Sequence, residues 1–265
     1  GGLVGWNIGY GTLSIAGKGD SSVKDIDQLS VTTHAKSYNT AAAGGLVGAN
    51  DYSSVKVENV SAQNLNVSGK NLRDLGGLLA SGRRKNGGTL EVKKCSLASM
   101  KITLEIDSKL KSSNAYTGGI IGFHERPLTI SEVEITSGST INGQQFTGGF
   151  IGNSDVDVTI RDCREKDLNI KTDMNWIGGF IGYVKQNGTA TFQNCQEENV
   201  NLLGLYTGGL VGAMDGSIQA SNMEFYNVTG VTYNYKNNGY AALLVGNTEN
   251  NTKTKHPNQV RGYNL

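Results

Sequence analysis

The sequence predicts an all-β chain wound into a right-handed parallel β-solenoid, a β-helix of about eight coils with three short strands per coil. Three observations lead there. A Gly-Gly-aliphatic-aliphatic-Gly motif recurs along the chain, two short segments of alternating polarity follow the copies, and no apolar stripe of helical period occurs anywhere.

The motif stands at Gly1 to Gly5, Gly44 to Gly48, Gly76 to Ala80, Gly118 to Gly122, Gly148 to Gly152, Gly178 to Gly182 and Gly208 to Gly212, with a degenerate copy at Ala242 to Gly246. Starts at 118, 148, 178 and 208 are 30 residues apart, and the remaining spacings of 43, 32, 42 and 34 fit turns that carry insertions. The first alternating segment is Val55 to Val60, Leu90 to Cys95, Val158 to Cys163 and Ala190 to Cys195 in four of the units. The second begins five residues later, at Leu65, Met100, Leu168 and Val200. Each unit therefore reads as three strands separated by bends.

One such unit has no second layer on which to bury its apolar face. Stacking equivalent units supplies it, because each residue then sits over its own counterpart at the inter-strand spacing of roughly 4.8 Å. Parallel crossover connections are right-handed by default. The bends fall to Gly, Asn and Asp: Gly numbers 37 and Pro only 2. The motif glycines allow positive φ or close backbone approach, and Asn86-Gly87, Asn142-Gly143, Asn187-Gly188 and Asp215-Gly216 read as further turns. The solenoid is assigned to 1–246. Residues 247–265, rich in Asn, Thr and Lys, are assigned to a C-terminal cap or linker, irregular in pattern.

The 24 Lys and Arg balance 23 Asp and Glu, leaving no electrostatic footprint for nucleic acid. No apolar run is long enough for a transmembrane helix. The opening inside a motif copy suggests a piece of a longer polypeptide with other domains.

Gly-Gly-Leu-Val-Gly at 44 to 48 and 208 to 212, with Gly-Gly-Phe-Ile-Gly at 148 to 152 and 178 to 182, resembles the GLUG repeat. That family occurs in secreted and cell-surface bacterial proteins, including the regions preceding the protease domain of some extracellular immunoglobulin-A-cleaving metalloproteases. The resemblance covers nearly the whole chain and implies a surface location and a structural or adhesive role. It brings no catalytic residues.

Candidate sites follow from columns. An aromatic stands two residues before the motif in five consecutive units, at Tyr116, Phe146, Trp176, Tyr206 and Tyr240. In register these rings form a ladder, which either stacks on itself to cover the motif's corner or offers a platform to sugar rings or a partner protein. On the second reading these five residues are the ligand or partner face. Two adjacent apolar columns, one through Leu46, Leu78, Ile120, Phe150, Phe180 and Leu210, the other through the residues that follow them, conflict with strand alternation. Internal coverage is expected, because the flanking glycines can turn the strand and the aromatics lie close by, and an exposed interaction column is the alternative.

Cys163 and Cys195 occupy equivalent positions in successive units, close enough for a disulfide; buried free thiols in an inward column are the expected state, and Cys95 lacks a neighbouring-coil partner. Asp155, Asp157, Asp162, Asp167, Glu197 and Glu198 are the candidates for paired glycosidase acids. Their positions on turns and on the polar phase of strands suit solvated charges better. His34, His124 and His256 are isolated and expected at the surface, so no metal or cofactor is assigned.

The function expected is that of a non-enzymatic, secreted or cell-surface repeat segment, an adhesin or spacer that binds a host or neighbouring-cell protein or glycan through the ladder face. The alternatives are a β-helical polysaccharide-active enzyme or the non-catalytic arm of a secreted protease, and a filament or surface-layer building block.

Overall fold

The computed structural model describes residues 1–8, 10–18, 25–35, 41–107, 114–172, 175–232, 240–248 and 259–263. No helix occurs among them, and their strands pair in parallel in three sheets that form the walls of a β-solenoid.

A short wall holds seven three-residue strands, from Ala42–Gly44 through Asp74–Gly76, Tyr116–Gly118, Phe146–Gly148, Trp176–Gly178 and Tyr206–Gly208 to Tyr240–Ala242. A motif wall holds eight, from Val4–Ile8 to Val245–Thr248. Both alternating segments share one broad wall, whose strands lengthen from Ser54–Glu58 in the second turn to Thr189–Gly204 in the sixth. Six turns supply the short wall, the motif wall and both halves of the broad wall. The first turn has no short-wall strand, and the last reaches the broad wall, among the described residues, only through Gln259–Tyr263. Eight motif copies thus make about six complete turns.

Like residues stack on like. Gly44 pairs with Gly76, which pairs with Gly118, and the column continues through Gly148, Gly178 and Gly208 to Ala242. The motif is not a strand of its own, however. Its first glycine ends a short-wall strand, its fourth residue opens a motif-wall strand, and the two residues between turn the corner. At that corner the amides of Leu46 and Val47 both donate to the carbonyl of Leu78, and those of Phe150 and Ile151 both donate to Phe180. Two consecutive N–H groups aimed at one oxygen break the pleat, so consecutive side chains need not alternate. Both apolar columns therefore face the interior, and Leu46, Val47, Phe150, Ile151, Phe180 and Ile181 are all fully buried.

Close approach, not positive φ, explains the motif glycines. A Cβ on Gly152 would lie 2.5 Å from the Thr117 amide nitrogen of the turn before, so the short and motif walls pack backbone to backbone.

Positive φ appears instead in the broad wall, at side-chain-bearing residues. One column of left-handed residues runs through Asn59, Lys94, Glu132, Asp162, Asn194 and Asn222, a second through Asn64, Ser99, Ser137, Asp167, Asn199 and Asn227. Each bends the wall and shifts the in–out phase by one residue, so Ala190 and Phe192 are buried before the bend and Cys195 and Glu197 after it. Asn and Asp tolerate this conformation best, and here their side chains also bond up the stack. Asn222 donates to Asn194 at 2.9 Å, Asn194 to Asp162 at 2.9 Å and Asn199 to Asp167 at 2.8 Å. Replacing Asn194 by Ala is expected to cost about 1–2 kcal/mol in urea denaturation, from left-handed strain plus two lost ladder bonds. A cost near zero would show that the bend does not depend on the residue that occupies it.

Of the expected turns, Asn142-Gly143 proves to end the strand Ser139–Gly143, while Asn86, Asn187 and Asp215 lie in turns or bends. The proposed boundary at 246 falls within the strand Val245–Thr248. Cys95, Cys163 and Cys195 are buried free thiols, and Cys163 Sγ lies 3.1 Å from its acceptor, the Arg161 carbonyl. His34 is exposed and His256 lies outside the described residues. His124 departs from expectation: it is fully buried, with Nδ1 2.8 Å from the Arg126 carbonyl, and burial pushes its imidazole down to about 4.

Candidate functional site: the furrow between the two narrow walls

Because the narrow walls pack backbone to backbone, side chains leaving them on the outer side meet in a furrow that runs along the stack. The first residue of each short-wall strand supplies one bank. The opposite bank comes from the third residue of the first seven motif-wall strands, in order Trp6, Ala49, Ser81, Phe123, Asn153, Tyr183 and Ala213.

In the middle turns the furrow is filled with rings. Phe146 and Trp176 stack with centroids 4.8 Å apart and planes 9° from parallel, and Trp176 continues onto Tyr206 at 5.9 Å. Phe123 stacks on Tyr116 at 5.1 Å and Tyr183 on Phe146 at 4.9 Å, which knits the two banks together. The cluster is separate from the main core. Such contacts contribute beyond the apolar area they hide, roughly 0.5–1.5 kcal/mol per pair.

The five residues of the expected ladder are thus stacked in register, with unequal access. Tyr116 and Phe146 keep only 5% and 7% of their surface open, whereas Trp176 and Tyr206 are half-buried. Tyr240 pairs with Tyr206 through the backbone, and its side chain lies outside the described part of the structure. Alongside the rings, Lys185 pairs with Asp155 at 2.7 Å, and the Tyr183 hydroxyl donates to the Asp215 carboxylate.

Toward the first turns both banks change character. Asp74 and Ala42 occupy the places of the rings, and Ser81 and Ala49 face them. A cleft of about 580 Å³ opens there, lined in part by Trp6, Arg73, Arg83, Arg84, Asp51 and Glu125. Asp74 is fully buried beneath it, paired with Arg83 and 3.5 Å from Arg73 Nε. Burial pushes its carboxyl up to about 7, with Arg73 pulling the other way. Arg83 also lies 4.7 Å from the Phe123 ring centroid, so one guanidinium joins the polar end of the furrow to its aromatic stretch. Arg84 is loosely engaged: its amide donates to Glu125 at 3.1 Å, and its guanidinium stands 4.0 Å from Asp51.

The candidate acids do not converge on one site. Asp162 and Asp167 belong to the two bend columns, Asp155 pairs with Lys185, and Glu198 pairs on the surface with Arg164 and Lys166. Glu197 corrects the expectation of solvated charge. It is fully buried directly over Glu165, and none of the four carboxylate oxygens has a hydrogen-bond partner. Enclosed on all sides, this pair can hold protons but cannot meet a substrate. No group of three or more His, Cys, Asp or Glu among the described residues could hold a metal ion.

Asp74 and the cleft were missed in the sequence because only rings were followed. The position two residues before the motif at Gly76 is Asp74, and carrying the column back one copy would have placed a carboxylate at the head of the ladder. Comparison with protein-family models, with curated proteins and with solved structures finds no match to this chain.

Proposed function

We propose that the chain is a non-enzymatic, extracellular repeat segment of a larger bacterial surface or secreted protein, a stiff stack of turns that binds a host or neighbouring-cell protein or glycan along its furrow. The observation that carries this reading is the graded opening of the ring ladder. Tyr116 and Phe146 anchor it inside, and Trp176 and Tyr206 present ring surface at fixed spacing. Rigid aromatics held in place by their neighbours lose little conformational entropy on binding, which is why such groups dominate recognition surfaces. The likeness of the motif to the GLUG repeat supports the surface location and the adhesive or spacing role.

A glycan and host-protein binding screen tests the proposal, run with the wild-type chain and with W176A/Y206A. Loss of at least tenfold in affinity in the double variant is the expected result, with the β-sheet circular dichroism retained. Binding unaltered by the double substitution, or no ligand across the screen, removes the reading.

A further inference from the structure

The polar head of the furrow is a differently built surface from the ladder and is suited to a ligand of definable chemistry. We propose that the cleft between Trp6 and the Arg73, Arg83 and Arg84 guanidiniums is a saccharide subsite that takes uncharged pyranose rings. This rests on the binding-rod reading and supplies its substrate class.

Three features carry the inference. The first is size: about 580 Å³ falls inside the roughly 300–1,000 Å³ of small-ligand pockets. The second is the mixture of hydrogen-bonding groups. Guanidiniums only donate and carboxylates only accept, and both kinds line the cleft, with Arg84 set between Asp51 and Glu125. A sugar hydroxyl does both, so a ring carrying several of them satisfies such a lining. A phosphate, sulfate or carboxylate would meet Asp51 and Glu125, and Asp74 beneath them, along with the cations. At the floor, the buried Ser81 hydroxyl faces the Asp74 carboxylate and helps to fix it beneath the arginines. The third is the rim. Trp6 is 63% exposed and gives a flat apolar face, the complement of the C–H face of a pyranose.

The cleft also explains why Asp74 stands where other turns carry rings. Its carboxyl ties down Arg83 and Arg73 from below, so two of the three donors are held in position before any ligand arrives. Arg84, 60% exposed, 4.0 Å from Asp51 and 5.8 Å from the Tyr52 ring centroid, is the most loosely held of the three.

Trp6 is one of only two tryptophans, so intrinsic fluorescence can report on the cleft. The probes are the methyl glycosides of glucose, galactose, mannose and N-acetylglucosamine, with N-acetylneuraminic acid and glucose 6-phosphate as charged counterparts. At least one neutral glycoside is expected to give a saturable change that disappears in W6F and weakens at least tenfold in R84A. W176A/Y206A is expected to leave that change intact, which separates failure of the cleft from failure of the ladder. The proposal is overturned by no saturable change with any neutral glycoside at concentrations well above a Kd of about 1 mM, by a response that persists in W6F or is undiminished in R84A, or by tighter binding of the charged probes. Unaltered circular dichroism and urea midpoint in W6F and R84A tie a loss to the cleft.

Discussion

Raising the pH from 5 to 8 is expected to weaken the fold through Glu165 and Glu197, and the double variant E165L/E197L is expected to abolish that contribution and to be the more stable protein at pH 8. Burial in the core is the main cause for both, with repulsion from Glu197 adding to it at Glu165, and both carboxyls are held well above the ordinary value of 4.5. Below pH 4.5 both remain protonated whether the chain is folded or not, so the pair contributes no pH dependence there. Above it, the unfolded chain releases protons that the folded chain retains. Stability then falls by about 1.4 kcal/mol per pH unit for each carboxyl that stays protonated, until the folded value is reached. The surrounding column is apolar, with Leu97 and Ile135 on one side and Phe225 on the other, so leucines continue it. Removing a buried polar group that lacks a hydrogen-bond partner recovers roughly 1–3 kcal/mol, and all four carboxylate oxygens here lack one.

Other buried groups titrate in the same range, so the difference between wild type and variant is the informative quantity. Asp74, raised to about 7, adds a loss of the same sign as pH rises. His124, lowered to about 4, acts oppositely, and its contribution fades as pH drops from about 6.5 toward 4. Urea midpoints of wild type, E165L/E197L and E165Q/E197Q at pH 5, 6.5 and 8 should show a gap between wild type and leucine variant that widens with pH. The glutamine variant should share its flatter profile. A constant gap would mean that the carboxyls ionise inside the fold.

The location of this pair marks where reading the sequence stopped. The motif series and the apolar columns through Phe150 and Phe180 were legible because they repeat identically, and the parallel register follows from that repetition. The bends of the broad wall were not, because left-handed residues there vary among Asn, Asp, Ser, Lys and Glu, and only their stacking reveals them as one column. Without those bends the alternation cannot be phased, and Glu197 was assigned to the polar side. The residues at its position in earlier turns, Ala62, Leu97 and Ile135, carried the missing signal: the column is apolar, and an acid within it is an inward acid. The internal coverage expected for both apolar columns of the motif holds, with the strand turned as its flanking glycines suggest. Its corner follows from two amides sharing one carbonyl, a feature of backbone geometry that side-chain pattern does not encode.

Substituting Ala for Gly119, the second glycine of its motif, is expected to be among the most damaging of the small changes available to this fold. The added Cβ would lie 2.0 Å from the Gly149 carbonyl oxygen and 3.0 Å from Ile135 Cδ1. Ile135 could rotate, but the carbonyl belongs to the next corner. That corner is itself closed on its successor, where a Cβ on Gly149 would come within 2.2 Å of the Gly179 oxygen. Displacing one corner therefore displaces the stack above it. Overpacking of a close-packed site costs typically 1–3 kcal/mol, and a clash with backbone that cannot relax alone belongs at or beyond about 3 kcal/mol. The gain from a stiffer unfolded chain, about 0.4–1 kcal/mol, does not offset it. Two other glycines divide the causes. Gly5 has open space and no positive φ, so G5A should stay within about 0.5 kcal/mol of wild type. Gly138 has open space but a φ of 68°, so G138A should lose about 1–2 kcal/mol to left-handed strain alone. The order G5A, G138A, G119A in urea midpoints, from least to most destabilised, is what close approach at the corner requires. A G119A midpoint above that of G138A would mean that the turns can separate locally, and that the stack is held by its broad wall and not by the glycine corner.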